Sequence, residues 1–175
     1  VMMILMPMMA GIVVLAKPII ALIAGHEFAG SANILRLLSL AIFGLVFGNV
    51  FGYIALAINR QKQAVAVYLF TAIFTTAAYF YFIPKYGIWG AAGAAIGAEI
   101  FAGLGLLVLV GHYGKFFPKI FTALKILLAS AVMGLVVYKI QLMNIFISII
   151  IGAIIYAVMI LLFKVISKET LKEIV

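Results

Sequence analysis

The chain has 175 residues, of which 69% are hydrophobic and only 9% are charged, and its mean hydropathy is +1.39. A soluble domain is about half apolar and about a quarter charged, so this composition excludes a surface that is mostly exposed to water. The net charge of +8 comes from Lys and Arg residues that flank apolar runs and form no nucleic-acid readout motif. There is no cysteine, and His26 and His112 lie far apart, so we predict no metal site and no cofactor.

Six apolar runs of membrane length follow one another, and each predicts one transmembrane helix, because lipid offers no hydrogen-bond partner to an open backbone. The second run ends at the polar residues 59–63, and the third is expected to stop at Pro84. The predicted fold class is all-α, a polytopic membrane helix bundle. In chain order the six runs cover residues 1–24, 31–58, 64–83, 88–110, 120–138 and 145–163.

The first run begins at residue 1 without a basic flank or a small-residue cleavage site, so it does not have the pattern of a signal peptide. A chain that opens inside an apolar helix is expected to be the C-terminal part of a longer protein.

Lys and Arg residues between the runs predict the orientation, since cytoplasmic loops carry the excess of positive charge. Lys85 and Lys139 fall on one side, while Lys17 and Arg36 lie within or at the edge of runs. We therefore expect a multi-pass membrane protein with its C-terminus in the cytoplasm. The side with eight cations holds Arg60, Lys62, Lys115, Lys119, Lys125, Lys164, Lys168 and Lys172.

Glycines recur in two of the runs at spacings that favour close contact between helices. In the second run they stand at every fourth position, and in the fourth run they lie among alanines. The predicted helix-packing residues are Gly44, Gly48, Gly52, Gly90, Gly93 and Gly97. An alternative function for the glycines of the fourth run is to let that helix bend during a conformational cycle.

Three ionisable residues lie inside the predicted spans, where a charge costs about 2.5–3.5 kcal/mol even on the mildest scale. They are Lys17, Arg36 and Glu99, and all fall at comparable depths from the predicted outer side. One interpretation is a shared cavity lined by two cations and one acid. The alternatives are that Lys17 and Arg36 extend to the lipid headgroups, and that Glu99 is a static salt-bridge partner or a protonated acid.

Residues 83–92, Ile-Pro-Lys-Tyr-Gly-Ile-Trp-Gly-Ala-Ala, have the form IP-x-YG-xx-GAA. They resemble the C-terminal half of polysaccharide-biosynthesis membrane proteins, the lipid-linked oligosaccharide flippases of the multidrug/oligosaccharidyl-lipid/polysaccharide exporter superfamily. Residues 16–20 and 25–28 look like the family's joint between two spans. Residues 34–38 and the turn around Arg60 also fit the resemblance, which covers nearly the whole chain.

The resemblance implies the C-terminal part of a MATE-like transporter fold with about 14 spans. Residues 1–111 would supply four helices of the C-terminal bundle, 119–166 two additional helices and 167–175 a cytoplasmic tail. The N-terminal bundle of the parent chain would be missing.

The resemblance also implies alternating access, in which an anionic lipid-linked sugar enters a cationic cavity while its tail stays in the membrane lipid. Lys17 and Arg36 are the candidate pyrophosphate-binding residues, and Glu99 is the candidate for holding a coupling cation or neutralising one base. Two other functions stay open, a cation-coupled drug antiporter of the same superfamily and a non-transporting membrane scaffold. We expect no enzyme activity, since the sequence has no nucleophile–base pair and no metal set.

Overall fold

The computed structural model of the protein describes residues 1–114, 120–140 and 144–163, and the described residues form an all-helical chain. Its five α-helices are each long and apolar enough to cross a membrane, judged by length and composition. They are α1 (Met2–Ile23), α2 (Ala32–Ala57), α3 (Gln61–Gly114), α4 (Ile120–Ile140) and α5 (Ile145–Leu162), with a short 3₁₀-helix (His26–Ser31) between α1 and α2.

Helix α3 contains two of the predicted spans. Its 54 residues would extend about 80 Å at 1.5 Å per residue, more than twice the thickness of a bilayer core. Gly87 breaks it with φ of 57° and ψ of −133°, a conformation that favours glycine. The break leaves residues 61–86 and 88–114 as two helices of membrane length, so the five helices contain the six predicted spans.

Pro84 does not end the third span, which corrects the prediction. Proline has no backbone N–H, but its fixed φ is compatible with a helix. A helix can therefore continue past a proline when another group satisfies the carbonyl oxygen four residues earlier, which the missing N–H leaves without a donor. The chain reverses three residues later, at Gly87, where no Cβ opposes a positive φ. Gly25, which precedes the 3₁₀-helix, also has a positive φ, of 96°.

The helices fall into two compact units. The first contains α1, the 3₁₀-helix, α4 and α5, and the second contains α2 and α3. The prediction assigns residues 1–111 to the C-terminal bundle of a transporter and residues 119–166 to two additional helices. That assignment is a different division from the two compact units, and it stays a prediction.

In the first unit, α1 and α4 run in the same direction and α5 runs opposite to both. Leu15 packs with Met133 and Val137 near one end, while Met2 and Met3 pack against Ile126 and Ala129 near the other. The Lys125 ammonium donates to the carbonyl oxygen of Phe163 at 3.1 Å, which joins the start of α4 to the end of α5. This bond satisfies a carbonyl that the end of α5 would otherwise leave open.

In the second unit, α2 and residues 88–114 run side by side in the same direction, and residues 61–86 run opposite to both. The core between them contains Phe51 and Ala55 of α2 with Leu106 and Val110 of α3. Phe74 and Phe101 stack across the two halves of α3 with ring centroids 5.8 Å apart.

The guanidinium of Arg60 lies 4.0 Å from the ring centroid of Tyr113, so the turn after α2 and the end of α3 are at the same end of the second unit. The charge count places these two segments on one side of the membrane. Five of the eight cations in that count lie outside the described residues, as does the predicted tail 167–175. These five are Lys115, Lys119, Lys164, Lys168 and Lys172.

Candidate functional site

Glu99 lies at a close contact between α2 and α3. A Cβ built on Gly44 would come within 2.8 Å of both the carbonyl carbon and the Cβ of Glu99, so only a glycine fits opposite this residue without a shift. The Glu99 side chain is half-buried, and Tyr68 lies close enough to interact with it electrostatically. An acid at a tight helix contact can hold a proton or accept a hydrogen bond.

Tyr68 also ties the two helices together. Its hydroxyl donates to the carbonyl oxygen of Gly48 at 3.4 Å. The hydroxyl lies 2.9 Å from the position that a Cβ of Gly52 would occupy. Sequence reasoning did not select Tyr68. The available signal was a tyrosine four residues inside a predicted span, since a hydroxyl group in lipid needs a hydrogen-bond partner.

Arg36 lies four residues after the start of α2 and is half-buried. Its Nη1 donates to Oδ1 of Asn33 at 2.9 Å, so the guanidinium extends back toward the beginning of the helix. Gly44, which touches Glu99, is about 12 Å further along the same helix at 1.5 Å per residue. Roughly two helical turns therefore separate Arg36 from the level of Glu99.

Lys17 belongs to the first unit, where it stands exposed on α1 directly before Pro18. Arg36 and Glu99 belong to the second unit. Because Lys17 lies in a different unit from Arg36 and Glu99, the shared cavity of these three residues stays a prediction.

The structure brings some of the selected glycines into contact with another helix and leaves others exposed. Gly44, Gly48 and Gly52 face α3, where a Cβ on Gly48 would lie 3.9 Å from the Cα of Gly103. Gly90 faces backbone rather than lipid, and an added Cβ would collide with the carbonyl group of Phe82.

Gly93 and Gly97 meet no other helix among the described residues, so their predicted helix contact stays a prediction. Both are exposed, and a Cβ added at either would meet no atom within 4 Å. The reason is that small residues occupy every face of this stretch, and the face that packs against the rest of the unit carries Ala94, Ala98 and Ala102. In this stretch the apolar residues do not concentrate on one side of the helix, so the sequence could not indicate which face is packed.

The first unit contains an open apolar groove that the sequence did not predict. It has a volume of about 480 Å³ and is lined by side chains of α1, α4 and α5. Met3, Pro7 and Gly11 form part of its α1 wall, while Gly152 and Tyr156 form part of its α5 wall. Because the lining is almost entirely apolar, the groove suits a hydrocarbon chain better than a polar group.

No protein-family model and no curated protein matches the sequence. A solved structure of the lipid II flippase MurJ in its inward closed conformation matches with a TM-score of 0.74 and 26% sequence identity. The match covers 93% of this chain and 36% of the flippase, so the chain spans about a third of the length of that protein. The fold is therefore that of a polytopic membrane transporter, and the resemblance to lipid-linked oligosaccharide flippases that the sequence predicted is confirmed.

Proposed function

We propose that the protein moves a lipid-linked oligosaccharide across the plasma membrane for the synthesis of a surface polysaccharide. The observation that carries this proposal is the structural match to a lipid II flippase over 93% of the chain. No bond of the substrate is made or broken in such a step, so the protein is proposed to be a transporter and not an enzyme. The remaining helices of a complete transporter, including an N-terminal bundle, would come from the same parent chain.

Lys17 and Arg36 are proposed to bind the pyrophosphate of the substrate, because a phosphate that leaves water needs charged donors. The exposed position of Lys17 and the partial burial of Arg36 are compatible with this role. Glu99 is proposed to hold a coupling cation or to neutralise one of the two bases. The bond from Arg36 to Asn33 equally supports the alternative in which Arg36 reaches outward to headgroup phosphates. We propose the cytoplasm as the location of the C-terminus.

The proposal is tested in cells whose own copy of the gene is deleted and replaced by variants. Lys17→Ala and Arg36→Ala are expected to reduce surface polysaccharide while the amount of protein in the membrane stays normal. Lys85→Ala is the matched control, because Lys85 is an exposed cation near the Gly87 break. An unchanged amount of polysaccharide in both variants would favour the alternative in which Lys17 and Arg36 contact lipid headgroups.

Lipid II itself is a second candidate substrate, because the matched structure is that of a lipid II flippase. Reconstituted vesicles that contain fluorescent lipid II or a fluorescent lipid-linked oligosaccharide separate the two candidates. Transport of the oligosaccharide alone supports the first proposal, and transport of lipid II alone supports the second. Export of a cationic dye with transport of neither lipid would favour the antiporter.

A further inference from the structure

Helix α1 contains a built-in weak point at Pro7. In a regular helix the N–H of residue 7 would donate to the carbonyl oxygen of Met3, but proline has no N–H. The carbonyl of Met3 therefore loses its partner within the helix. In a membrane segment such a freed carbonyl is costly unless another group reaches it.

Tyr156 of α5 supplies the missing donor. Its hydroxyl donates to the carbonyl oxygen of Met3 at 2.7 Å, the length of a well-formed O–H···O bond. The ring is partly buried and packs against apolar clusters that contain Met133 and Ile126 of α4. Ser130 of α4 donates its own hydroxyl to the Ile126 carbonyl at 2.9 Å. One phenol thus connects all three long helices of the first unit.

This bond lies in the wall of the apolar groove. Met3, Pro7 and Tyr156 all line that groove, and so does Gly11, one turn beyond the proline. A Cβ added at Gly11 would meet no atom within 4 Å, so this face of α1 is open to the groove, while Ala10 on the neighbouring face lies next to Gly134 of α4. Between Pro7 and Gly11 the helix lacks one backbone bond and gains no support from side-chain packing at Gly11.

We propose that Tyr156 is a latch that holds the first turn of α1 against α5 and so fixes the width of the groove. When the hydroxyl releases the Met3 carbonyl, the turn before Pro7 swings away from α5 and the groove widens. The latch is specific to the carbonyl that Pro7 frees, since the carbonyls of Met2 and Ile4 on either side of Met3 have a backbone donor four residues later. This inference does not rest on the proposed function.

The test uses a distance between α1 and α5. Because the chain has no cysteine, Ile4→Cys and Ala157→Cys introduce two unique sites for spin labels. Ile4 is 68% exposed and precedes the proline, and Ala157 is exposed next to the latch residue. The distance distribution is measured by double electron–electron resonance on the full chain in lipid nanodiscs, first without and then with the latch variants.

Tyr156→Phe keeps the ring and removes only the hydroxyl, and it is expected to broaden the distribution and add longer distances. The population ratio of open to closed turns should rise about three- to eighteenfold, the range expected for one interhelical hydrogen bond in a membrane. Tyr138→Phe on α4, a tyrosine that is 61% exposed, is the matched control and should leave the distribution unchanged.

Pro7→Ala restores an N–H for the Met3 carbonyl, so the effect of Tyr156→Phe should disappear in that background. The proposal is overturned if Tyr156→Phe leaves the distances unchanged, or if it broadens them equally with Pro7 and with Ala at position 7. Should Tyr156→Phe alone fail to fold, folding of the Pro7→Ala/Tyr156→Phe variant supports the latch. Failure of both variants to fold overturns it.

Discussion

The contact between Gly44 and Glu99 gives a prediction whose size can be worked out from the structure. A Cβ on Gly44 would lie 2.8 Å from the carbonyl carbon and from the Cβ of Glu99. Real Cβ atoms do not approach other atoms so closely, and neither of the two contacted atoms belongs to a flexible side-chain end. Gly44→Ala must therefore push α2 away from α3 by several tenths of an ångström.

The size of the effect follows from comparison with a glycine that has no neighbour. An alanine at Gly97 meets nothing within 4 Å and changes only helix propensity, a gain of up to about 1 kcal/mol. Gly44→Ala carries the same gain plus an overpacking cost of about 1–3 kcal/mol. The free energy of unfolding of Gly44→Ala should thus lie about 1–3 kcal/mol below that of Gly97→Ala.

Gly48 and Gly52, which lie on α2 with Gly44, extend the comparison to a graded series. Gly48→Ala places its Cβ 3.9 Å from Gly103, an ordinary van der Waals contact, so it should behave like Gly97→Ala. Gly52→Ala meets the Tyr68 hydroxyl at 2.9 Å, which can move at the expense of its bond to the Gly48 carbonyl. Its stability should fall between those of the Gly44 and Gly48 variants.

The assay is reversible unfolding in mixed micelles by titration with sodium dodecyl sulfate, followed by far-ultraviolet circular dichroism. The fluorescence of Trp89, the single tryptophan of the chain, provides an independent probe in the second unit. Equal stabilities of Gly44→Ala and Gly97→Ala would refute the reasoning, because they would mean that α2 and α3 do not touch at Glu99. If Gly97→Ala were instead less stable than Gly44→Ala, the helix face that carries Gly97 would be the packed face.

Two further predictions concern the first unit and the orientation. Lys125→Met should lower the stability by about 0.5–1.5 kcal/mol, because it removes the 3.1 Å bond to the Phe163 carbonyl, whereas Lys139→Met, at an exposed position, should have little effect in the same titration. A reporter enzyme fused after Val175 should be active in the cytoplasm and one inserted at Lys85 should be active outside, and exchanged activities would invert the charge-based orientation.

The apolar runs of the sequence by themselves determined the number and the limits of the spans. Each predicted run lies within a few residues of an observed helix, since only a helix can satisfy its backbone groups in lipid. The reversal between the third and fourth spans was also foreseeable, because Gly87 is the residue near Pro84 that tolerates a positive φ. The number of spans therefore follows from the apolar runs, and the reversal between the third and fourth spans follows from one glycine.

Only the tertiary structure decided which face of each helix meets a neighbour. Gly44 and Gly97 look alike in the sequence, yet one touches a backbone and the other is exposed. The bond from Tyr156 to the carbonyl freed by Pro7 joins residues that are 153 positions apart, and no local pattern indicates that pairing. The physical reason is that lipid is as apolar as the side chains, so an apolar helix carries no polar face to mark its outer side. Close approach and hydrogen bonding, which depend on the partner helix, select the packed face instead.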